Sequence, residues 1–334
     1  MSARIKTVAW SLLLGAAALS AALVAVAPAG QAQNQTIDGL WTAQKSGWKI
    51  AGDPGAAVVQ LSLQRRTGGK GHWNSGFTVP LSELRGLTVA QMDGARTDVR
   101  FELARDAGTI TLEGRFQAGA GAGHFTFTPS AAFVSAMRER GYGPLDTEKV
   151  FSLAVHDVSR AFIADLAALG YERLALDELV NLRIHGAGPE FIRELKALGY
   201  DRLRVDELTN LRIHGATPAF IRELKALGHD RLAAEELVNL RIHGATPEFI
   251  RDIKALGYDR LRPEELVNMR IHGVSPSFVR ELKELGYEGV AVDDLVNMRI
   301  HGVTPDFVRR AKASAGRPVT VDRLVDMRIH GREP

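Results

Sequence analysis

Cysteine is absent from all 334 residues. No disulfide framework can therefore brace the folded chain, and no lipidated cysteine can tether it. Charge of one sign is also missing in excess. The 42 Lys and Arg residues face 39 Asp and Glu residues, and without Arg4 and Lys6 the balance is 40 to 39. A nucleic-acid groove needs a clustered basic surplus, so no nucleic-acid partner is expected. Catalytic signatures are lacking too: there is no G-x-S-x-G, no P-loop and no H-E-x-x-H. His72, Ser75 and His124 stand outside any such pattern. The glycine-rich "AGAGAG" at 118–123 falls between two strand-like stretches with no following helix to hold phosphate, and reads as a flexible hairpin. The chain is expected to be no enzyme, with no cofactor and no metal.

What is present divides into three parts. In residues 1–33, Arg4 and Lys6 precede an uncharged run from Val8 to Ala27, which Pro28 ends. Small residues follow in "APAGQAQ", with cleavage expected after Ala29 or Ala32. This is the layout of a secretory signal, and it implies a periplasmic or secreted protein. The alternative is a retained inner-membrane anchor, since about 20 uncharged residues just span a bilayer. Membrane attachment is expected only through that segment, uncleaved.

Residues 35–128 read as an antiparallel β domain. Apolar and polar residues alternate in 58–66, 77–81, 99–105, 109–116 and 124–129, and turn signals such as "RTGGKG", "MDG" and "RDAG" separate them. A small barrel or sandwich is expected, with Trp41, Trp48 and Trp73 inside.

From 129 to 331 a 29-residue repeat takes over. Each copy carries two short helix signals. In one copy Thr246 caps the first helix, Pro247 opens it, and Phe249, Ile250, Ile253 and Leu256 form its stripe. Ala245 and Ile250 are placed for a hydrophobic staple, and Gly257 stops the helix. The second helix runs from about Ala234 to His243 and stops at Gly244. Helices this short gain stability by packing on neighbours. The fold class is therefore α+β: a small antiparallel β domain followed by an α-solenoid of about seven two-helix repeats, including degenerate copies at both ends.

An R-I-H-G core recurs with His185, His214, His243, His272, His301 and His330 in register. On a helical wheel Leu237, Val238, Leu240 and Ile242 fall in one broad arc, read as core, while Glu235, Asn239 and His243 share the opposite edge. Arg241 falls inside the arc, so its stem is expected to pack while its head meets an acid or a terminal carbonyl. Equivalent histidines in adjacent repeats start roughly 8–10 Å apart, too far for one zinc ion to gather at about 2.0–2.1 Å. Two readings remain. Each histidine can serve its own helix end, with Asn239 hydrogen-bonded to His243 one turn away. Alternatively Asn181, His185, Asn210, His214, Asn239, His243, Asn268, His272, Asn297 and His301 line a partner-binding stripe. Such a stripe would be pH-sensitive near histidine's ordinary pKa of about 6.5.

The "LVNLRIHGATPEFIRELKALGYDRL"-type repeats resemble the repeat tails of certain bacterial envelope proteins, including relatives of the BlaR/MecR-type metallopeptidase sensors, over roughly residues 129 to 331. The resemblance implies an envelope-associated sensing or interaction role. It carries no peptidase activity, because neither the zinc motif nor the membrane bundle of those sensors is matched. The expected function is thus an exported, non-catalytic scaffold with a protein or peptide partner. The alternatives are small-ligand or envelope-polymer binding by the β domain, with the solenoid as spacer or signalling arm, and an uncharacterised hydrolase.

Overall fold

The computed structural model describes residues 36–46, 57–66, 71–316 and 318–332. The signal-like segment and Trp48 lie outside these described residues. Thr36 to Pro334 forms one compact unit. Within it a curled antiparallel sheet is followed by helices in tandem.

The sheet comprises β1 (Ile37–Ser46), β2 (Val58–Arg66), β3 (His72–Pro80), β4 (Leu84–Arg85), β5 (Thr97–Arg105), β6 (Gly108–Gln117) and β7 (Ala120–Pro129), with one short helix, α1 (Val89–Asp93). Their spatial order is β3-β2-β1-β7-β6-β5-β4. The sheet curls into a half-barrel whose edges β3 and β4 do not pair. Alternation sends Trp41, Leu61, Leu63, Phe101, Leu112, Phe116, Phe125 and Phe127 inward, and all are essentially inaccessible. Trp41 stacks edge-on to Phe101 at 5.2 Å and its Nε1 donates to the Glu113 carbonyl at 3.1 Å. Trp73 is only half buried.

The expected flexible hairpin at 118–123 is corrected. Only Ala118 (φ 50°) and Gly119 (φ 83°) make the turn, and Gly121 and Gly123 belong to β7. A Cβ on Gly123 would lie 2.0 Å from the Glu113 carbonyl oxygen. These glycines serve close strand approach, not freedom. "MDG" likewise closes α1 rather than a bare turn; Thr88 and Gln91 form its capping box.

Fourteen helices follow among the described residues. The first helix of each pair is α2 (Ala131–Glu139), α4 (Arg160–Ala168), α6 (Pro189–Ala197), α8 (Pro218–Ala226), α10 (Pro247–Ala255), α12 (Pro276–Glu284) or α14 (Pro305–Ala315). The second is α3 (Thr147–Val155), α5 (Leu176–Ile184), α7 (Val205–Ile213), α9 (Ala234–Ile242), α11 (Pro263–Ile271), α13 (Val292–Ile300) or α15 (Val321–Ile329). Each class packs on its own kind, giving two layers. None of these helices is long and apolar enough to cross a membrane.

Local rules account for the boundaries. Thr246 Oγ1 accepts from the Phe249 N–H at 3.2 Å, and Pro247 occupies the first turn. Second helices lack a hydroxyl cap in most copies. In α5, α7, α9 and α11 the third-position glutamate reaches back to the cap N–H, as Glu236 does to Ala233 at 2.6 Å. Gly244 (φ 70°) and Gly257 (φ 104°) adopt the left-handed conformation that ends each helix. Ala245 and Ile250 are both buried.

Three ladders tie neighbouring repeats. Arg212, on α7, lies 5.0 Å over the Phe191 ring and donates from Nε to the Gly186 carbonyl at 2.9 Å. Lys254 donates to the Leu227 carbonyl at 2.8 Å. The Tyr200 hydroxyl donates to the Leu232 carbonyl at 2.9 Å. Each satisfies a chain carbonyl that the helix or turn leaves free.

At the junction, α3 closes the open side of the half-barrel. Phe151 stacks on Phe125 at 5.7 Å and meets Phe127 and Trp73, each at 5.2 Å. Sheet and solenoid thus share one continuous core.

Candidate functional site

The outward face of the second-helix layer is the site the sequence pattern points to, and the structure redraws its centre. Leu237 and Leu240 are fully buried, as expected, and Val238 is half buried. Ile242 is not core: it is 52 % exposed. Centring the wheel on Leu237 and Leu240 explains the difference. At 100° per residue, Ile242 falls about 20° from Glu235, almost opposite the core. The same position is 51–55 % exposed in all six copies: Ile184, Ile213, Ile242, Ile271, Ile300 and Ile329.

Parallel stacking converts these positions into rows running along the solenoid. An acidic row holds Asp177, Asp206, Glu235, Glu264 and Asp293. An amide row holds Asn181, Asn210, Asn239, Asn268 and Asn297. The isoleucine row follows, and the histidines form its rim. No Lys or Arg occupies a position of these three rows from 177 to 300, but two arginines flank the acidic row: Arg204 pairs with Asp206 at 2.7 Å, and Arg262 interacts with Glu264 and Asp293. Between α9 and α11 the rows enclose a shallow recess of ≈ 520 Å³ lined by Glu235, Asn239, Val267, Asn268 and Ile271.

The amide and histidine side chains face solvent to different degrees. Asn181, Asn210 and Asn239 are exposed and Asn268 and Asn297 half buried; His185 and His214 are exposed, and His243, His272 and His301 half buried. The expected bond between the Asn239 and His243 side chains is not made. Instead the His243 backbone N–H donates to the Asn239 carbonyl at 3.1 Å, the ordinary helical bond, and the side chains project outward. His330 differs: its Nδ1 lies 2.9 Å from both the backbone and a carboxylate oxygen of Asp326. None of the five asparagine side chains hydrogen-bonds within the described residues, so each presents a free donor and acceptor.

Arg241 behaves as its wheel position requires, with its guanidinium 4.9 Å over Phe220. Both expected partners occur along the series: Arg212 takes a terminal carbonyl and Arg183 takes Asp157 at 2.8 Å. Burial lowers the Arg183 pKa, opposed by Asp157. Burial also raises the phenols of Tyr171, Tyr200, Tyr258 and Tyr287.

The polar residues of the sheet do not assemble. His124, on β7, pairs with Leu40 and so stands two strands from β2 and three from β3. His72 is at the start of β3, and Ser75 points to the other side of that strand. Among the described residues no three His, Asp or Glu side chains converge as metal ligands. No family model matches the chain, and neither the curated proteins nor the solved structures compared with it gave a match.

Proposed function

We propose that the chain is a non-catalytic interaction module whose isoleucine and asparagine ladder binds a polypeptide partner. The observation that carries this reading is the apolar inventory. Eight large hydrophobic residues are exposed among those described, Leu40, Val89 and the six isoleucines, and those six form one row. Six exposed isoleucines in one register, flanked by rows of polar groups, depart from the singly scattered surface hydrophobics of an ordinary monomer. The uncharged run from Val8 to Ala27, with the resemblance of the repeats to envelope proteins, supports an exported location for the module.

The half-barrel interior is filled by aromatic side chains and plugged by Phe151. A lined cavity there would have favoured the small-ligand alternative, and that support is missing.

Replacing Ile213, Ile242 and Ile271 together by asparagine tests the reading. Each is more than half exposed, so the helical circular dichroism and the unfolding midpoint are expected to hold. Capture of a polypeptide partner from cell-envelope extract is expected to be lost. Retained capture overturns the reading. Replacing His214, His243 and His272 by glutamine asks the same of the rim.

A further inference from the structure

The ladder is bare at six repeats but covered at the first, and the covering is made by this chain itself. In α3, Glu148, Ser152 and Val155 stand 29 residues before Asp177, Asn181 and Ile184. Val155 occupies the isoleucine position, yet it is only 4 % exposed, because strands β1, β6 and β7 pack across this face. Glu148 occupies the acidic position and is ion-paired with Arg65 of β2. The same guanidinium lies 5.7 Å from the Phe151 ring. At the first repeat, therefore, the acidic position already takes a basic side chain from a strand, and the isoleucine position is already covered.

The uncovered repeats offer matching chemistry. Asp177 and Glu235 have no ion pair or hydrogen bond among the described residues; Glu264 and Asp293 make no direct bond but lie in the field of Arg262, and Asp206 is held by Arg204 at 2.7 Å. The asparagine carboxamides beside them make no hydrogen bond among the described residues. A carboxamide can bond both groups of a peptide unit, but only where the partner's backbone is not already satisfied internally. An extended segment meets that condition and a helix does not. Phosphate backbones are disfavoured by the acidic row.

Resting on the interaction reading above, we propose that the ladder takes an extended polypeptide carrying regularly spaced basic side chains. Arginine or lysine heads meet the acidic row, the asparagines bond the backbone, and the isoleucines cover apolar side-chain surface. Helices stacked at roughly 8–10 Å correspond to about three residues of polyproline-type chain at about 3.1 Å each, so one basic residue per triplet keeps register with the repeats.

Fluorescence anisotropy with the full chain tests this, using labelled peptides of repeated Arg-Pro-Val triplets. Two comparison probes are the same peptide with glutamate for arginine, and an alanine-based helical peptide with as many arginines. The basic extended probe is expected to bind at least about ten-fold more tightly than either, a difference of about 1.4 kcal/mol. Its affinity is expected to fall by about the same factor in the combined variant Glu235→Gln, Glu264→Gln, Asp293→Asn, and to weaken with added salt. The Ile213, Ile242 and Ile271 triple variant is expected to abolish it. Equal binding of the helical or acidic probe, still dependent on the isoleucines, overturns the inference and leaves the polypeptide-binding face standing. Absence of saturable binding by the basic extended probe overturns the inference. Isoleucine-dependent sedimentation with phosphatidylglycerol vesicles and no peptide binding overturns both readings.

Discussion

The Arg212 guanidinium donates to the Gly186 carbonyl 26 residues earlier while lying over the Phe191 ring. One side chain thus joins the end of one second helix to the first turn of the intervening first helix and to its own helix. The glycine is part of the device: at φ 66° it ends α5, and a Cβ there would stand 3.1 Å from the guanidinium. Arg212→Ala is expected to lower stability by about 1–2 kcal/mol, from the lost stacking and the carbonyl left without its donor. Arg212→Lys should recover only part, because an ammonium cannot stack and donate in the same plane. Urea unfolding followed by circular dichroism measures both. Equal midpoints for wild type and Arg212→Ala would contradict the role assigned to this side chain.

Much of this fold was legible because each repeat states its own boundaries. Thr246, Pro247 and Gly257 locate a first helix without any long-range information, and β2 spans the same residues, 58–66, that alternation marked out. The failures share a cause: they concern which surface an element turns toward, something set by neighbours distant in sequence. Ile242 lies inside the apolar arc of the wheel, and an apolar residue there has no local marker of exposure. Val155, its counterpart in α3, is buried under strands that precede it by tens of residues, and nothing in "SLAVHD" announces that. The open edge between β3 and β4, closed by α3, is likewise a product of topology. As for the candidate stripe, its asparagines and histidines were found by spacing alone. Its apolar centre, the feature best suited to bind, carries no such signal, because the wheel alone places Ile242 in one broad arc with the core leucines.

One position breaks the tyrosine ladder. Tyr171, Tyr200, Tyr258 and Tyr287 each donate to the carbonyl 32 residues on, and His229 stands where the fifth tyrosine would bond Leu261. Burial lowers the His229 pKa below its usual 6.5; the nearby Lys254 lowers it further, and Asp230 opposes. The folded state therefore binds fewer protons than the unfolded state in the window below pH 6.5. Stability is full above that value and declines as pH falls through it, levelling at the depressed folded pKa. His156, half buried at the end of α3 and also lowered by burial, contributes in the same direction. His229→Tyr is expected to restore the missing bond, add about 1 kcal/mol at neutral pH, and flatten the His229 share of the acid-side decline. Thermal unfolding of both proteins from pH 7.5 down to 5 reads this. A midpoint that does not rise, or an unchanged difference between the two pH values, would contradict it.

The contact between Phe151 and the sheet decides whether the half-barrel and the helices stand or fall together. Phe151 is 2 % exposed, with the rings of Trp73, Phe125 and Phe127 all within 5.7 Å. Truncating a buried phenylalanine to alanine costs about 3–5 kcal/mol, the spread reflecting how far the surroundings collapse into the gap. Collapse is restricted here, because the gap lies between hydrogen-bonded strands on one side and the backbone of α3 on the other. Phe151→Ala is therefore expected near the upper end of that range. Its effect should be uneven: near-ultraviolet circular dichroism from Trp41 and Trp73 is lost first, while α5 to α15, which hold one another through the arginine and lysine ladders, keep most of their helical signal. Hydrogen exchange would show fast opening of β1, β6, β7 and α3 and slow opening of α9 and α11. Simultaneous loss of both signals at an unchanged single midpoint would mean that the solenoid cannot stand without its sheet cap, and that the ladders are weaker than their geometry implies.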